Sequence, residues 1–259
     1  MLLAIDVGNT NTVFAVYNDN NFLVEWRCAT EFSRTADEYY VWLNSLIKLQ
    51  KQRISISRVV ISSVVPQVVF NLTELGEKYF NFSPLIIGKP NCKLPVEVRV
   101  DEGANVGADR IVNTVAAFDR YGGDLIVVDF GTATTFDVVD NDGAYIGGVI
   151  APGVNLSVKA LHEAAAALPN IDVAKPKISI GTNTIECMKS GIFWGYVGLV
   201  KEICNRIIME HGQPMDIIGT GGLAQLFSQD EKIFNVVDRE LTTHGLFVID
   251  KFNRKLTNE

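Results

Sequence analysis

Apolar and polar positions fall in blocks along this chain, and the first block sets the pattern for the rest. Leu2 to Ile5 is a continuous apolar run, the mark of a buried strand, and Asp6 stands where it ends. A polar turn follows, Gly8-Asn9-Thr10-Asn11-Thr12, then a second apolar strand from Val13 to Tyr17, and the chain turns again at Asn18-Asp19-Asn20. The pattern predicts a hairpin with an acid at its lip. Such a turn offers backbone N–H and hydroxyl groups to a phosphate, and Asp6 suits a metal ion.

The hairpin recurs. Leu125 to Gly143 aligns with it without a gap from Leu2 onward: Asp6 falls on Asp129, Gly8 on Gly131, Thr12 on Thr135 and Val16 on Val139. Two copies at about half the chain length predict a duplicated domain and exclude a solenoid.

Between the copies, Phe22, Val24 and Trp26 alternate in a third strand over 21–29. Thr35-Ala-Asp-Glu38 is a capping box, and Tyr39, Leu43, Leu46 and Ile47 form the apolar stripe of the helix it opens. A strand over 58–65, a helix over 67–79 and a brief strand over 84–87 come next. A polar connection, 91–106, leads to Gly107-Ala108-Asp109-Arg110. Ile111, Val112, Val115, Ala116 and Phe118 then share one helix face, which puts Asp109 and Arg110 in the first turn. Tyr121-Gly122-Gly123 breaks that helix and marks a boundary between domains 1–121 and 122–259.

Past the second hairpin the reading gives a strand over 145–153, a helix over 156–168 and a long helix from Ile185 to roughly Glu210. Gly191, Gly195 and Gly198 on that helix would let another helix lie close, in the same subunit or across a dimer. A strand over 216–219, the turn Thr220-Gly-Gly222, a strand at 236–237 and a tail helix over 245–252 complete the chain. Strands in series followed by alternating helix and strand make each half an α/β domain with a mixed sheet and flanking helices.

A net charge of −7 argues against non-specific nucleic-acid binding, so a phosphate ligand must be met by cations, backbone donors and single basic residues. The four cysteines (Cys28, Cys92, Cys187, Cys204) lack CxxC spacing and read as idle thiols. No apolar stretch has the length of a membrane span or a signal segment, which predicts a soluble, cytoplasmic protein.

Neither a P-loop nor a G-x-G-x-x-G fingerprint occurs, and the three histidines are scattered. The candidate chemistry rests on acids at element ends: Asp6, Asp109 and Asp129. Asp6 alone would read as a turn aspartate; its copy at Asp129 favours a shared function. At a helix start, Asp109 complements the macrodipole and should be a weak base. Arg110 is either a surface arginine or a ligand clamp. Thr220-Gly-Gly222 is either a plain strand-to-helix turn or bare backbone along which an adenosine slides.

Asp6-Val-Gly-Asn-Thr10, Ser62-Ser-Val-Val-Pro66, Gly107-Ala-Asp-Arg-Ile-Val-Asn113 and Asp129-Phe-Gly-Thr-Ala-Thr134 resemble the ordered signatures of type III pantothenate kinases. Tyr145-Ile-Gly-Gly148, Ala151-Pro-Gly153, Gly181-Thr-Asn-Thr184, Ser190-Gly191 and Thr220-Gly-Gly222 extend the resemblance over essentially the whole chain. It implies two ribonuclease H-like domains of the actin-like ATPase class with ATP in the cleft between them. Asp6, Val7, Gly8, Asn9, Thr10, Asn11, Thr12 and Val13 would hold its phosphates, Asp6 would also handle Mg²⁺, and Thr132 would contact ATP. Asp129 would bind K⁺ or NH₄⁺. Gly107, Ala108, Asp109 and Arg110 would bind pantothenate with Asp109 as general base, and Thr184 would touch it as well. A homodimer is implied. Val100 stands where many members carry an aromatic residue near pantothenate, and Ala165 where a Thr often precedes the Leu168-Pro169 pair. A nucleotide-driven switch, or a kinase for another small acceptor, would share the fold.

Overall fold

In a computed structural model, which describes residues 1–19, 21–165, 167–228 and 232–257, β1 (Leu2–Val7) runs antiparallel to β2 (Asn11–Asn18). β2 pairs antiparallel with β3 (Asn21–Ala29). On its other side β1 lies parallel to β4 (Arg58–Ser63), and β4 to β5 (Leu85–Ile86). The second half repeats the scheme. β6 (Leu125–Phe130) pairs antiparallel with β7 (Ala133–Val139), β7 with β8 (Tyr145–Pro152), and β9 (Asp216–Gly221) and β10 (Val236–Val237) follow in parallel. The orders β3-β2-β1-β4-β5 and β8-β7-β6-β9-β10 are the same, so the repeat in the sequence is a repeat of topology.

The two hairpins differ by one residue in the turn. Asp6 pairs with Val13, whereas Asp129 pairs with Thr135. The ungapped alignment sets Phe136 opposite Asp129, whereas Phe136 lies opposite Val128 in the structure. Side chains alternate between sheet faces, so a slip of one residue exchanges the faces of the whole second strand. Thr135 therefore shares the face of Asp129, while Thr12 lies on the face away from Asp6. By position in its sheet, the counterpart of Thr12 is Thr134.

One face of the first sheet packs under α1 (Ala36–Lys48) and α2 (Pro66–Phe80), where Leu3, Ile5, Phe14 and Ile61 meet Tyr39, Leu43, Val68 and Leu72. The predicted capping box opens α1: Thr35 N donates to Glu38 Oε2 at 2.8 Å and Glu38 N to Thr35 Oγ1 at 3.3 Å. On the opposite face Leu2, Ala4, Tyr17 and Val60 pack against Val112 and Val115 of α3 (Ala108–Tyr121) and Leu246 and Phe247 of α7 (Leu241–Thr257). In the second sheet Ile126, Val128, Phe130 and Phe136 pack with α4 (Val154–Ala164), α5 (Thr184–His211) and α6 (Ala224–Phe227).

The compact units interleave along the chain. One comprises Met1–Val96, Gly103–Ala116 and Thr242–Glu259; the other comprises Glu97–Glu102 and Ala117–Leu241. The single boundary near residue 121 gives way to crossings at 96, 102, 116 and 241.

Two helices depart from the sequence reading. α7 starts at Leu241, four residues ahead of the start expected at Gly245. Gly245 sits inside the helix, at a point where any Cβ would collide with the Val112 carbonyl of α3. α4 stops at Ala164, and Ala165 is extended at φ −127° and ψ 102°. Residue 166 of the helix expected there lies outside the described residues, as does Asn20 of the first hairpin's far turn. Among the described residues, no helix is long and apolar enough to cross a membrane.

Candidate active site

The first hairpin's turn is laced from within and from the side. Gly8 N donates to Asn11 O at 3.0 Å, closing the turn, and Asn9, Thr10 and Asn11 are exposed at its tip. Thr30, just past β3, grips it from the side: its Oγ1 donates to Gly8 O at 2.7 Å and its N–H to Thr10 O at 3.0 Å. The Thr12 hydroxyl is buried and lies 3.0 Å from Thr30 Oγ1, which commits it to holding the turn. Sequence reasoning missed Thr30. Only the β2–β3 register, which no local pattern encodes, brings it to the turn.

Asp6, half-buried at the end of β1, has Ser62 of β4 as its parallel register partner. Neighbouring register partners share a sheet face, and this is the face packed by α3 and α7. The α3 N-terminus carries Ala108, Asp109 and Arg110 in the same compact unit as Asp6. Asp109 Oδ1 accepts from Arg110 N at 2.9 Å and lies over Gly107, where a Cβ would come within 2.6 Å of it. Burial pushes the Asp109 carboxyl above the usual carboxylate range, outweighing the backbone hydrogen bond and the Arg110 charge that pull it down. This reverses the expectation of a weak base. The helix-end effect is real but smaller than the desolvation, which position in a helix does not reveal.

The other unit carries Val100, Asp129, Thr132 and Thr184. Asp129, half-buried at the second hairpin's lip, pairs across β9 with Thr220, and its carboxylate is seated over Gly221. A Cβ on Gly221 would overlap Asp129 Oδ1 and come within 2.7 Å of Phe130 N and O; the backbone there has φ +86°. Bare backbone at 221 thus makes room for the acid, while the Cβ position of Gly222 is open. Thr132 is exposed at the turn, against which the Gly153 backbone packs so closely that any side chain at 153 would collide with Thr132 O. Thr184 is the first, exposed residue of α5, whose start is capped by Asn183 Oδ1 accepting from Glu186 N at 3.0 Å. Val100 is half-buried beside Arg99, which is fixed to the second sheet through Arg99 N to Tyr145 O at 2.8 Å and an ion pair with Asp140 at 2.5 Å.

Among the described residues no group of three or more His, Cys, Asp or Glu side chains forms a metal cage. Mg²⁺ takes few protein ligands and fills its shell with phosphate and water oxygens, so one strand-end carboxylate such as Asp6 fits it. A monovalent cation, as a hard ion, fits the seated carboxylate of Asp129. The four cysteines are free, and burial pushes Cys92 up to about 11 and Cys204 to about 12, which leaves both as inert thiols.

The family profile described as type III pantothenate kinase matches residues 2–206 of this chain. A type III pantothenate kinase of Roseobacter denitrificans is 62% identical over 255 residues, covering 98% of this chain and 99% of the relative. Among solved structures, a Campylobacter jejuni protein described as a conserved putative Baf family transcriptional activator superposes with a TM-score of 0.59 at 21% identity, covering 98% of this chain and 99% of that one. A putative 2-dehydro-3-deoxygalactonokinase of Sinorhizobium meliloti gives 0.57 at 12% identity, covering 97% and 96%. At such identities these two structures speak to the fold alone.

Proposed function

The chain belongs to the type III pantothenate kinase family, and from that premise we propose how its residues carry out the reaction. It is an ATP-dependent pantothenate kinase of coenzyme A biosynthesis, on the duplicated ribonuclease H-like fold of the actin-like ATPases. The assignment of roles to individual side chains is our reading, and the half-buried Asp109 carboxylate at the α3 N-terminus, raised in proton affinity by desolvation, carries it.

Asp109 is the general base. The pantothenate hydroxyl oxygen forms a bond to the γ-phosphorus while the bond to the β-phosphate oxygen breaks, ADP leaves, and the hydroxyl proton passes to Asp109. Phosphoryl transfer is largely positioning and charge neutralisation, with the proton moving late. A carboxylate whose proton affinity is raised by burial suits that step better than an exposed one. Arg110 presents a planar fork to the pantothenate carboxylate, with Gly107 and Ala108 lining the approach and Val100 and Thr184 contributing further acceptor contacts.

The exposed tip Asn9-Thr10-Asn11, with Gly8 and the backbone from Val7 to Val13, binds the ATP phosphates, and Thr132 contacts the nucleotide. Asp6 holds Mg²⁺, which when bound neutralises phosphate charge. Asp129 holds K⁺ or NH₄⁺ on its seat over Gly221. Homodimerisation fits the exposed Ile150, Leu156, Ile178, Ile180 and Ile185 and the Gly191, Gly195 and Gly198 positions of α5, which among the described residues have nothing within 4 Å of their would-be Cβ atoms. We place the enzyme in the cytoplasm, in keeping with its free thiols.

A coupled assay of ADP release, run with and without pantothenate at zero and saturating K⁺, tests these assignments together. ADP release should require both pantothenate and the cation. Release that ignores pantothenate would point to a nucleotide switch, and release that ignores K⁺ would remove the role given to Asp129.

A further inference from the structure

Ser62 is fully buried at 0% exposure, and its hydroxyl has no hydrogen-bond partner among the described residues. Its neighbour Ser63 is different: Ser63 Oγ accepts from Val65 N and donates to Val65 O, both at 3.0 Å, as an ordinary turn serine does. A buried hydroxyl left unpaired is a standing penalty for the folded chain, and alanine would avoid it. Among the described residues two other buried hydroxyls lack a partner at hydrogen-bond geometry, those of Tyr39 and Thr134, although Tyr39 has the Thr12 hydroxyl within reach. Tyr39 belongs to the apolar core under α1 and α2, and Thr134 lies on the Phe130–Phe136 face of the second sheet. Ser62 alone of the three stands beside a strand-end carboxylate.

That carboxylate is Asp6. The two residues are register partners on adjacent parallel strands, hence about 4.8 Å apart between backbones and on one face of the sheet. With no cage of three ligands among the described residues, a divalent ion at Asp6 keeps much of its water shell. Waters bound to a cation are strong donors and need acceptors close by, and the protein groups that accept from them orient the ion.

We propose that Ser62 is an outer-sphere ligand of the divalent cation at Asp6: its hydroxyl oxygen accepts a hydrogen bond from a metal-bound water. Ser62 thereby positions the ion–nucleotide complex through that water. The proposal rests on the reading of Asp6 as the Mg²⁺ residue. The hydroxyl is satisfied only in the loaded protein.

The test is the affinity for a non-hydrolysable ATP analogue, measured by calorimetry with and without Mg²⁺, for the wild-type chain, Ser62→Ala and Asp6→Asn. Ser62→Ala should bind about tenfold more weakly with Mg²⁺, the worth of one hydrogen bond, and unchanged without it. Asp6→Asn should lose the tightening by Mg²⁺ altogether; if it keeps that tightening, the Asp6 reading itself falls. If Asp6→Asn behaves as expected but Ser62→Ala matches the wild type in both arms, the proposal alone is overturned. An equal loss in both arms also overturns it, since that marks a contact to phosphate. The unliganded Ser62→Ala chain should melt at or above the wild-type temperature. Melting several degrees lower would show a structural partner for the hydroxyl and sink the proposal too.

Discussion

Gly107 leaves the space that the carboxylate of Asp109 occupies: a Cβ at 107 would stand 2.6 Å from Asp109 Oδ1. The obstructing atom is the free end of a side chain, so it can swing away without disturbing the backbone. Gly107→Ala should therefore fold with an unchanged melting temperature while pushing the base off its seat. We expect kcat to fall at least tenfold, a part of the roughly 10²–10⁴-fold worth of a general base. Steady-state kinetics beside a thermal melt would check this, and an unchanged kcat would mean that the seat does not matter.

Burial raises the Asp109 pKa, and both activity and stability should report it. The base works when ionised, so the acid limb of kcat/KM should lie above the usual aspartate value of about 3.9. For stability the sign is opposite to that of an ion-paired carboxylate. A group whose folded pKa is raised favours folding below its unfolded value, and this contribution is lost as pH rises through the folded pKa. At neutral pH the charged Asp109 is thus a burden on the fold. Asp109→Asn keeps an Oδ1 to accept from Arg110 N and should melt higher than wild type at pH 7, by about 2–4 °C per kcal/mol relieved. A lower melting temperature would contradict the desolvated-charge account.

Much of the architecture is legible in the chain because its signals are local. Buried runs such as Leu2–Ile5, the capping box at Thr35 and Glu38, and the twice-used Asp-x-Gly turn each announce an element without reference to anything distant. What escapes is set by partners far away in sequence. The one-residue difference between the hairpins is hidden because Thr12 and Thr135 match in type while lying on opposite faces. Gly245 reads as a helix boundary until Val112 is found pressed against it. Thr30 gives no local sign of gripping the first turn, and helix position alone suggested the wrong direction for the Asp109 pKa.

Gly221 does for Asp129 what Gly107 does for Asp109, but with less slack. Its φ is +86°, and a Cβ would press on the Phe130 backbone as well as on the acid. Gly221→Ala should lose about 1–2 kcal/mol of stability from the left-handed backbone alone. It should also weaken the response to K⁺, raising the half-saturating concentration at least tenfold in a cation titration of activity. An unmoved half-saturation point would place the cation away from Asp129.

Thr30→Val removes the hydroxyl that donates to Gly8 O while keeping the backbone bond to Thr10 O. The loosened turn should raise KM for ATP severalfold and leave KM for pantothenate unchanged. A stability loss of about 1–3 kcal/mol should accompany it, from the unpaired Gly8 carbonyl and Thr12 hydroxyl. Equal changes in both KM values would argue that the turn does not act on the nucleotide.

Turnover of Asp109→Asn bears most directly on the central assignment. With binding of the ATP analogue and of pantothenate retained, kcat should drop about 10²–10⁴-fold relative to wild type. A variant that binds both substrates and still turns over near the wild-type rate would contradict Asp109 as the base.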